Sequence, residues 1–582
     1  SADTASSQLA KLNWQFTASA QTFDYLAAGE EVVLNYNIGA SDGQSGSAAA
    51  ASQVTLRITG VNELPQLSLV GSDSSSASLT ETNAALSATG SLTVLDSDLS
   101  NSVTASVRSV AIAATSSFSG SNPLSLAQLQ SMLTLGLGTS STTLAADAGS
   151  SSNLAWRFQA PAASSFDFLA SGETLILDYT LRISDGYDVN SFIEQPLRIS
   201  LTGTNDVPTI SSATASGSIN EGSTLSRTGV INFADADLSN RPTASHVVKA
   251  VSARRADGVT PFALSTAETS AISTAFAITA AGGNSNNGAI NWSYTISEAN
   301  LNFLAASEVV TAIFAVTVAD SNGGSTTQDV TVTITGSNDA PAISANSAAG
   351  YSGSASLSET DTSLSASGSL GVSDVDLSNT VTAGVVSVAK SGNTTGIGSN
   401  DAALLAMLKV APAAPTPVVG SSSTTGTLGW SFNSNSEAFN HLAAGESLTL
   451  TYTVRVTDSS GATADQAVTI TINGSNDTPV ITATDVSGAV TEDVTSGSPS
   501  RLRDSGSIAF GDLDASDRHT ASAAYIGATA SSGASVSTAL GTALQDLANT
   551  FTLSGAGVGA PSTSNSGTVN WAFSLDNSLS QY

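Results

Sequence analysis

The chain has 582 residues, 41% apolar but only 5% aromatic, so it can build several small, mostly aliphatic cores, and its length suggests about four domains. Forty-seven acidic residues against 17 basic ones give a formal charge of −30, which disfavours nucleic-acid phosphates and anionic membrane surfaces but permits divalent cations or simple solubility in salt. Cysteine is absent, so small domains in an oxidising compartment need another staple, and no apolar run is long enough to span a bilayer.

Along the chain the same features return with a period close to 138 residues. Tryptophans stand at Trp14, Trp156, Trp292, Trp430 and Trp571, and Asp-x-Asp pairs at Asp96/Asp98, Asp235/Asp237, Asp374/Asp376 and Asp512/Asp514. A closing phrase ends at Pro65 (ITGVNELP), Pro208 (LTGTNDVP), Pro341 (ITGSNDAP) and Pro479 (INGSNDTP). Three columns at one period identify a tandem repeat. The expected units are 66–208, 209–341 and 342–479, with 1–65 the back part of one unit and 480–582 the front part of another. Ends that fall at arbitrary phase suggest a window on a longer array.

Unit 342–479 shows the expected elements in order. A first strand lies near 351–358; 367–377 is a strand leading into the Asp-x-Asp loop; 380–389 alternates as the next strand. A Gly/Ser/Pro-rich variable section holds a helix-like run, DAALLAMLKV (401–410), with counterparts at 124–135 and 541–551. It reads as a small helix covering one end of the sandwich. The tryptophan strand spans 426–435 and supplies a core anchor. A turn or short helix at 439–446, a β-branched strand at 447–458, the turn SSGA and a last strand at 464–477 complete the unit. Proline after Asn-Asp ends that strand and stiffens the joint. The pattern is all-β: a tandem array of immunoglobulin-like antiparallel β-sandwich domains with short helical insertions.

The phrases TEDV (491–494), SGSIAFGDLDASDRHTAS (505–522), VNWAFSLDNS (569–578), LAAGE (442–446), YTVRVTDSSG (452–461) and ITINGSNDTP (470–479) together resemble the VCBS repeat of large bacterial adhesins and other secreted proteins. The order of acids also resembles a cadherin domain, a family that holds calcium between successive domains. That resemblance implies a ligand set at each joint. At the 208 joint it is Glu81, Glu173, Asn205, Asp206, Asp235, Asp237 and Asp320; at 341, Glu221, Glu308, Asn338, Asp339, Asp374, Asp376 and Asp458. At 479 it is Glu359, Glu446, Asn476, Asp477, Asp512 and Asp514; at 65, Glu30, Asn62, Glu63, Asp96, Asp98 and Asp185. The linker acid is Glu63 at the first joint, the full acidic linker of cadherins is missing, and so is the Asp that usually precedes the later Glu. Fewer or weaker ions per joint are therefore expected.

The chemistry is independent of the family. Calcium takes six to eight oxygen ligands from Asp, Glu, Asn and carbonyls. With Asp42 and Glu492, these columns hold about half of the 47 acids. Clustered carboxylates without a cation would repel each other, and loop capping explains single positions but not the set. The three histidines, His246, His441 and His519, fall at different phases and share no site. No Cys nucleophile, paired Cys/His metal spacing or Gly-rich phosphate loop followed by Lys is present, and identical carboxylate pairs in every unit fit a repeated joint better than a repeated active site. The reading is a non-catalytic extracellular segment of a bacterial surface adhesin or fibre. Calcium would stiffen its joints, and each unit would add about 35–45 Å of rod from strands of ten or so residues at ~3.3 Å each. The alternatives are a glycan- or protein-binding module, a filament or sheath subunit that binds copies of itself, and a spacer in a secreted hydrolase.

Overall fold

The computed structural model describes residues 11–580 except 42–44, 46–49, 83, 137, 139–140, 147–149, 281–284 and 495–499. Asp42 therefore lies outside the described residues.

The chain is a tandem series of antiparallel β-sandwiches with short helices. Within 209–341 one sheet has the order 209–213, 226–234, 287–295, 276–280, and the other 216–220, 325–335, 309–319, 243–254, 261–262. The strand Ser216–Asn220 runs parallel to Ser325–Thr335, while the other pairings are antiparallel. Residues 66–208 and 342–479 repeat this plan with small differences at the sheet edges. The strand Val309–Ala319 alternates strictly between buried and half-buried residues, as β-branched alternation requires. Each core draws its buried residues from one unit: from Leu86 to Leu201, from Ile219 to Ile334, and from Leu364 to Ile472.

Two devices recur inside the sandwiches. The tryptophan indole donates through Nε1 to a backbone carbonyl of the first loop, Ser74 at 2.7 Å, Thr214 at 2.9 Å, Ser352 at 2.6 Å and Asp485 at 2.8 Å. Its ring lies over a glycine directly opposite on the neighbouring strand: Gly90, Gly229, Gly368 or Gly506. A β-carbon at any of these glycines would meet the ring at 2.4–2.7 Å. A bulge also inserts one extra residue at Arg108, Lys249 and Val386 in equivalent strands, bending the sheet at the same place in each unit. Trp14 differs from the other four tryptophans: it lies outside any strand or helix, 55% exposed.

The helix-like runs are shorter than expected and turn directly into a strand. Asp401–Leu405 is helical and Leu408–Ala411 is a strand; Leu126–Ser131 is followed by Leu133–Leu135. In the last part Thr538–Gln545 and Leu547–Thr550 precede the strand Phe551–Gly555. Residues 209–341 also carry a helix, Thr266–Thr274, whose polar sequence hides it; Ser265 and Glu268 form its capping box. One apolar side chain of the helix in each complete unit is fully buried: Leu129, Ile272 or Leu404. Among the described residues no helix is long and apolar enough to cross a membrane.

Candidate metal centres at the joints

Each joint begins with the Asp-x-Asp loop. The N–H of the second Asp donates to Oδ1 of the first at 3.0 Å in all four loops, an Asx turn that points both carboxylates the same way. The backbone N–H of the linker acid then donates to Oδ2 of the second Asp. These bonds are Glu63 to Asp98 (3.2 Å), Asp206 to Asp237 (3.1 Å), Asp339 to Asp376 (3.0 Å) and Asp477 to Asp514 (2.9 Å).

The hairpin Asp of the following unit receives the linker asparagine. Asn62 Nδ2 donates to Asp185, Asn205 to Asp320 and Asn338 to Asp458, all at 2.9–3.0 Å. Asn476, at the fourth joint, is exposed and donates to its neighbour's carbonyl, Asp477 O. Burial alone would raise the Asp320 carboxyl, but donation from Asn205 and from the N–H groups of Asn322 and Gly324 outweighs it and lowers the pKa. Asp185, Asp320 and Asp458 thus lock the linker to the next sandwich.

The early glutamates Glu81, Glu221 and Glu359 are buried against the strand that leads into the linker. Their carboxylates accept from Thr204, Ser337 and Ser475, respectively. The later glutamates behave differently. Glu30, Glu173, Glu308 and Glu446 each accept the N–H of the residue three before them, closing their own turn. Glu308 is also paired with Arg255 at 2.8 Å, and Glu446 with Asn393 at 2.6 Å. An acid already neutralised by a guanidinium has little left to offer a cation, which sets Glu308 apart from Glu30, Glu173 and Glu446.

A second bond crosses every joint. The residue after the Asp-x-Asp donates its N–H to a carbonyl in that turn of the preceding unit: Leu99 to Tyr25, Leu238 to Phe168, Leu377 to Phe303, and Ala515 to His441, at 3.2–3.3 Å. The Leu238 side chain also packs against the core of the unit before it.

What remains is a set of buried oxygens with no donor. At every joint these include Oδ2 of the first Asp (Asp96, Asp235, Asp374, Asp512) and Oδ1 of the second (Asp98, Asp237, Asp376, Asp514). The linker acid contributes Glu63 Oε2, Asp206 Oδ2, Asp339 Oδ2 or Asp477 Oδ2. Asn62 and Asn205 add their Oδ1 atoms; at the 341 joint Asn338 Oδ1 instead accepts from Asn379. Every buried side-chain oxygen without a donor among the described residues belongs to a joint. Apart from Arg255 with Glu308 and His519 with Asp512 (3.5 Å), none of the expected ligands has a basic partner within ion-pair distance among the described residues.

The electrostatic consequence follows. Burial, reinforced by neighbouring carboxylates, pushes Glu63, Glu221, Asp237 and Asp376 up to about 7. Asp206 and Asp477 rise to about 6 for the same reasons. Buried acids of one sign with unfilled lone pairs are costly unless something positive satisfies them. The donor set is all oxygen, anionic and drawn from two units, which fits a hard divalent cation such as calcium and offers no soft or imidazole cage. The residues that fit it are the Asp-x-Asp pair, the linker acid, the early Glu where that unit is present, and the linker Asn carbonyl.

Sequence reasoning missed two contributors. Asn101, Asn240 and Asn379 donate to the second Asp at 2.8–3.1 Å and orient it. The Asp expected before the later Glu and read as missing is supplied from farther upstream. Asp24 is near enough to Glu63 to raise it, and Asp167, whose Oδ1 is a donorless oxygen, interacts in the same way with Glu81 and Asp206. The signal was the phrase Phe/Leu-Asp/Asn-x-Leu-Ala, whose second position reads Asp24, Asp167, Asn302, Asn440.

No family model matches the chain, so the VCBS resemblance rests on the quoted phrases; no curated protein matches it either. Among solved structures it is similar to protocadherin gamma B2 extracellular cadherin domains 1–5, with 14% identity, a TM-score of 0.30, and coverage of 77% of this chain and 66% of that one. It is similar to the protocadherin gamma B4 extracellular domain (10%, 0.29, 79% and 57%) and the human desmocollin-1 ectodomain (10%, 0.21, 95% and 80%). The chain thus spans less than two thirds of the two protocadherin chains.

Proposed function

We propose that this chain is a non-catalytic, extracellular structural segment of a bacterial surface adhesin or fibre, and that calcium bound at the joints fixes each unit against the next. The supporting observation is the recurrence, at all four joints, of the same donorless oxygens on the Asp-x-Asp pair and the linker acid. Solubility calls for charge at the surface; it gives no reason to bury acids between two units and leave them unpaired. In this reading the chain's own residues pre-shape the joint. The Asx turn aims the Asp-x-Asp carboxylates, the linker Asn fastens to the following hairpin, and the backbone bond across the joint sets the contact. A bound calcium would supply the positive charge that lets the carboxylates stay ionised together.

The test compares the full chain in calcium and in chelator. Small-angle scattering should show a shorter maximum dimension without calcium, and limited proteolysis should then open the chain at 61–65, 204–208, 337–341 and 475–479. Identical scattering and cleavage patterns in both conditions would refute the joint model.

A further inference from the structure

The Phe/Leu-Asp/Asn column raises a problem of charge. At the 208 joint Asp167, Glu81 and Asp206 are three carboxylates near enough to repel one another, and Asp167 Oδ1 and Asp206 Oδ2 are buried without a donor. At the 341 and 479 joints the same position is Asn302 and Asn440. A neutral amide there would leave two carboxylates where the 208 joint has three, and ligand charge is what tunes calcium affinity in an oxygen site.

The structure fills the gap from two different places. At 341, Glu298 lies four residues before Asn302 on the short turn Glu298–Asn300, and its Oε1 accepts the N–H of Gly222 at 2.8 Å. This fastens it to the residue next to Glu221, near enough for its charge to act on both Glu221 and Asp339. At 479, Asp361 comes from the loop after Ser354–Ser358, on the opposite side of the sequence from the column. Its carboxylate lies within 4.8 Å of those of Glu359 and Asp477. Asn440 Nδ2 donates to Asp361 Oδ1, so the amide that replaced the acid holds the substitute acid in place. Asp361 adopts φ 56°, a left-handed conformation that Asp tolerates better than most residues.

Acids in a group are common, and a cation needs a further sign. It is present: Glu221 is only 5% exposed, and its Oε1 has no donor. Asp339 Oδ2, Asn302 Oδ1, Asp477 Oδ2 and Asn440 Oδ1 are likewise buried oxygens without donors.

We infer that Glu298 and Asp361 are cation-binding residues that take over the charge of the Phe-Asp column, so that the 208, 341 and 479 joints each present three carboxylates to the outer part of the site. The inference rests on the calcium reading above and adds two ligands that no alignment of the repeats contains. It also explains why two joints tolerate Asn at a position where the other two have Asp.

The experiment is calcium titration of the full chain, by calorimetry in metal-free buffer. Glu298→Gln and Asp361→Asn remove charge while keeping an acceptor for Gly222 N–H and for Asn440 Nδ2. Each should weaken one class of sites about tenfold or more. The double variants Glu298→Gln/Asn302→Asp and Asp361→Asn/Asn440→Asp return the acid to the column and should recover most of the affinity. Single variants that titrate like the wild type would overturn the inference while leaving calcium at the joints intact. A loss that the column acid does not restore would also overturn it, by showing a purely structural role. If the wild type binds no calcium, the joint reading itself fails, and the inference falls with it.

Discussion

A buried carboxylate that lacks a donor keeps its proton longer than one in water. Glu63, Glu221, Asp237 and Asp376, at about 7, and Asp206 and Asp477, at about 6, have folded-state values above those of the unfolded chain. The stability that goes with such a raised pKa is fully present below about pH 4 and is lost as pH rises through the folded value. In chelator, the melting temperature should therefore fall from about pH 4 to about pH 7, most steeply near pH 5–6 where the folded chain holds the most extra protons, and level off above that. General repulsion from the −30 charge would instead develop near the ordinary carboxylate values. With calcium present the slope should flatten or reverse, because the ion displaces the same protons. A flat melting profile in chelator across that range would contradict this account. Glycine matters at the same scale. A β-carbon on Gly336 would lie 2.5–2.6 Å from the backbone oxygens of Ala305 and Leu304, and the same crowding recurs at Gly60, Gly203 and Gly474. Gly336→Ala should cost about 1–3 kcal/mol in urea unfolding, since no side chain can move aside to relieve it.

The short helices show how one task can be done from different positions. A tyrosine hydroxyl donates to a carbonyl near the end of the helix in each complete unit: Tyr179 to Leu129 (2.6 Å), Tyr452 to Leu404 (2.9 Å) and Tyr294 to Ile272 (3.2 Å). Tyr179 and Tyr452 occupy the same column, where residues 209–341 have Phe314; there Tyr294 reaches in from the tryptophan strand instead. Tyr452→Phe should cost about 1 kcal/mol and speed hydrogen exchange in 401–407, while the distant 66–208 core keeps its protection. Equal exchange in the two proteins would show that the hydroxyl does not hold the helix. The same elements explain what the sequence could and could not reveal. Strands such as 447–458 were legible because their alternation is fixed by a buried face, and the Asp-x-Asp pairs because two acids at fixed spacing survive every repeat. The helix at 266–274 was hidden because a single buried residue, Ile272, anchors it. Glu298 and Asp361 were invisible to column reading because they reach the same place from loops that do not align. That Glu173 and Glu308 close their own turns was hidden from the sequence, since a Glu that does so has the same spacing as one that faces a neighbour.

Across the whole molecule, cores are local and joints are shared. The buried residues of each cluster come from one unit, with only the half-buried Leu238 crossing a joint to pack on its neighbour's core, so loss of one joint should not unfold its neighbours. Asp374→Asn together with Asp376→Asn should therefore create one hinge, at 341, in the presence of calcium. Electron microscopy of single molecules should show added bending at that joint alone, and thermal unfolding should keep the transitions of the other units. Bending spread along the chain, or none, would count against shared-joint stiffening.

The backbone bonds Leu99 to Tyr25, Leu238 to Phe168, Leu377 to Phe303 and Ala515 to His441 all run in the same sense, from the front of one unit to the back of the one before. Every unit thus has a plug at one end and a socket at the other, and the relocated acids Glu298 and Asp361 travel with the socket of their own unit. A gene that gains or loses sequence by recombination in whole periods would keep every plug matched to a working socket. Length could then drift between lineages while the fitting between neighbours stayed constant, as in a chain of standard couplings.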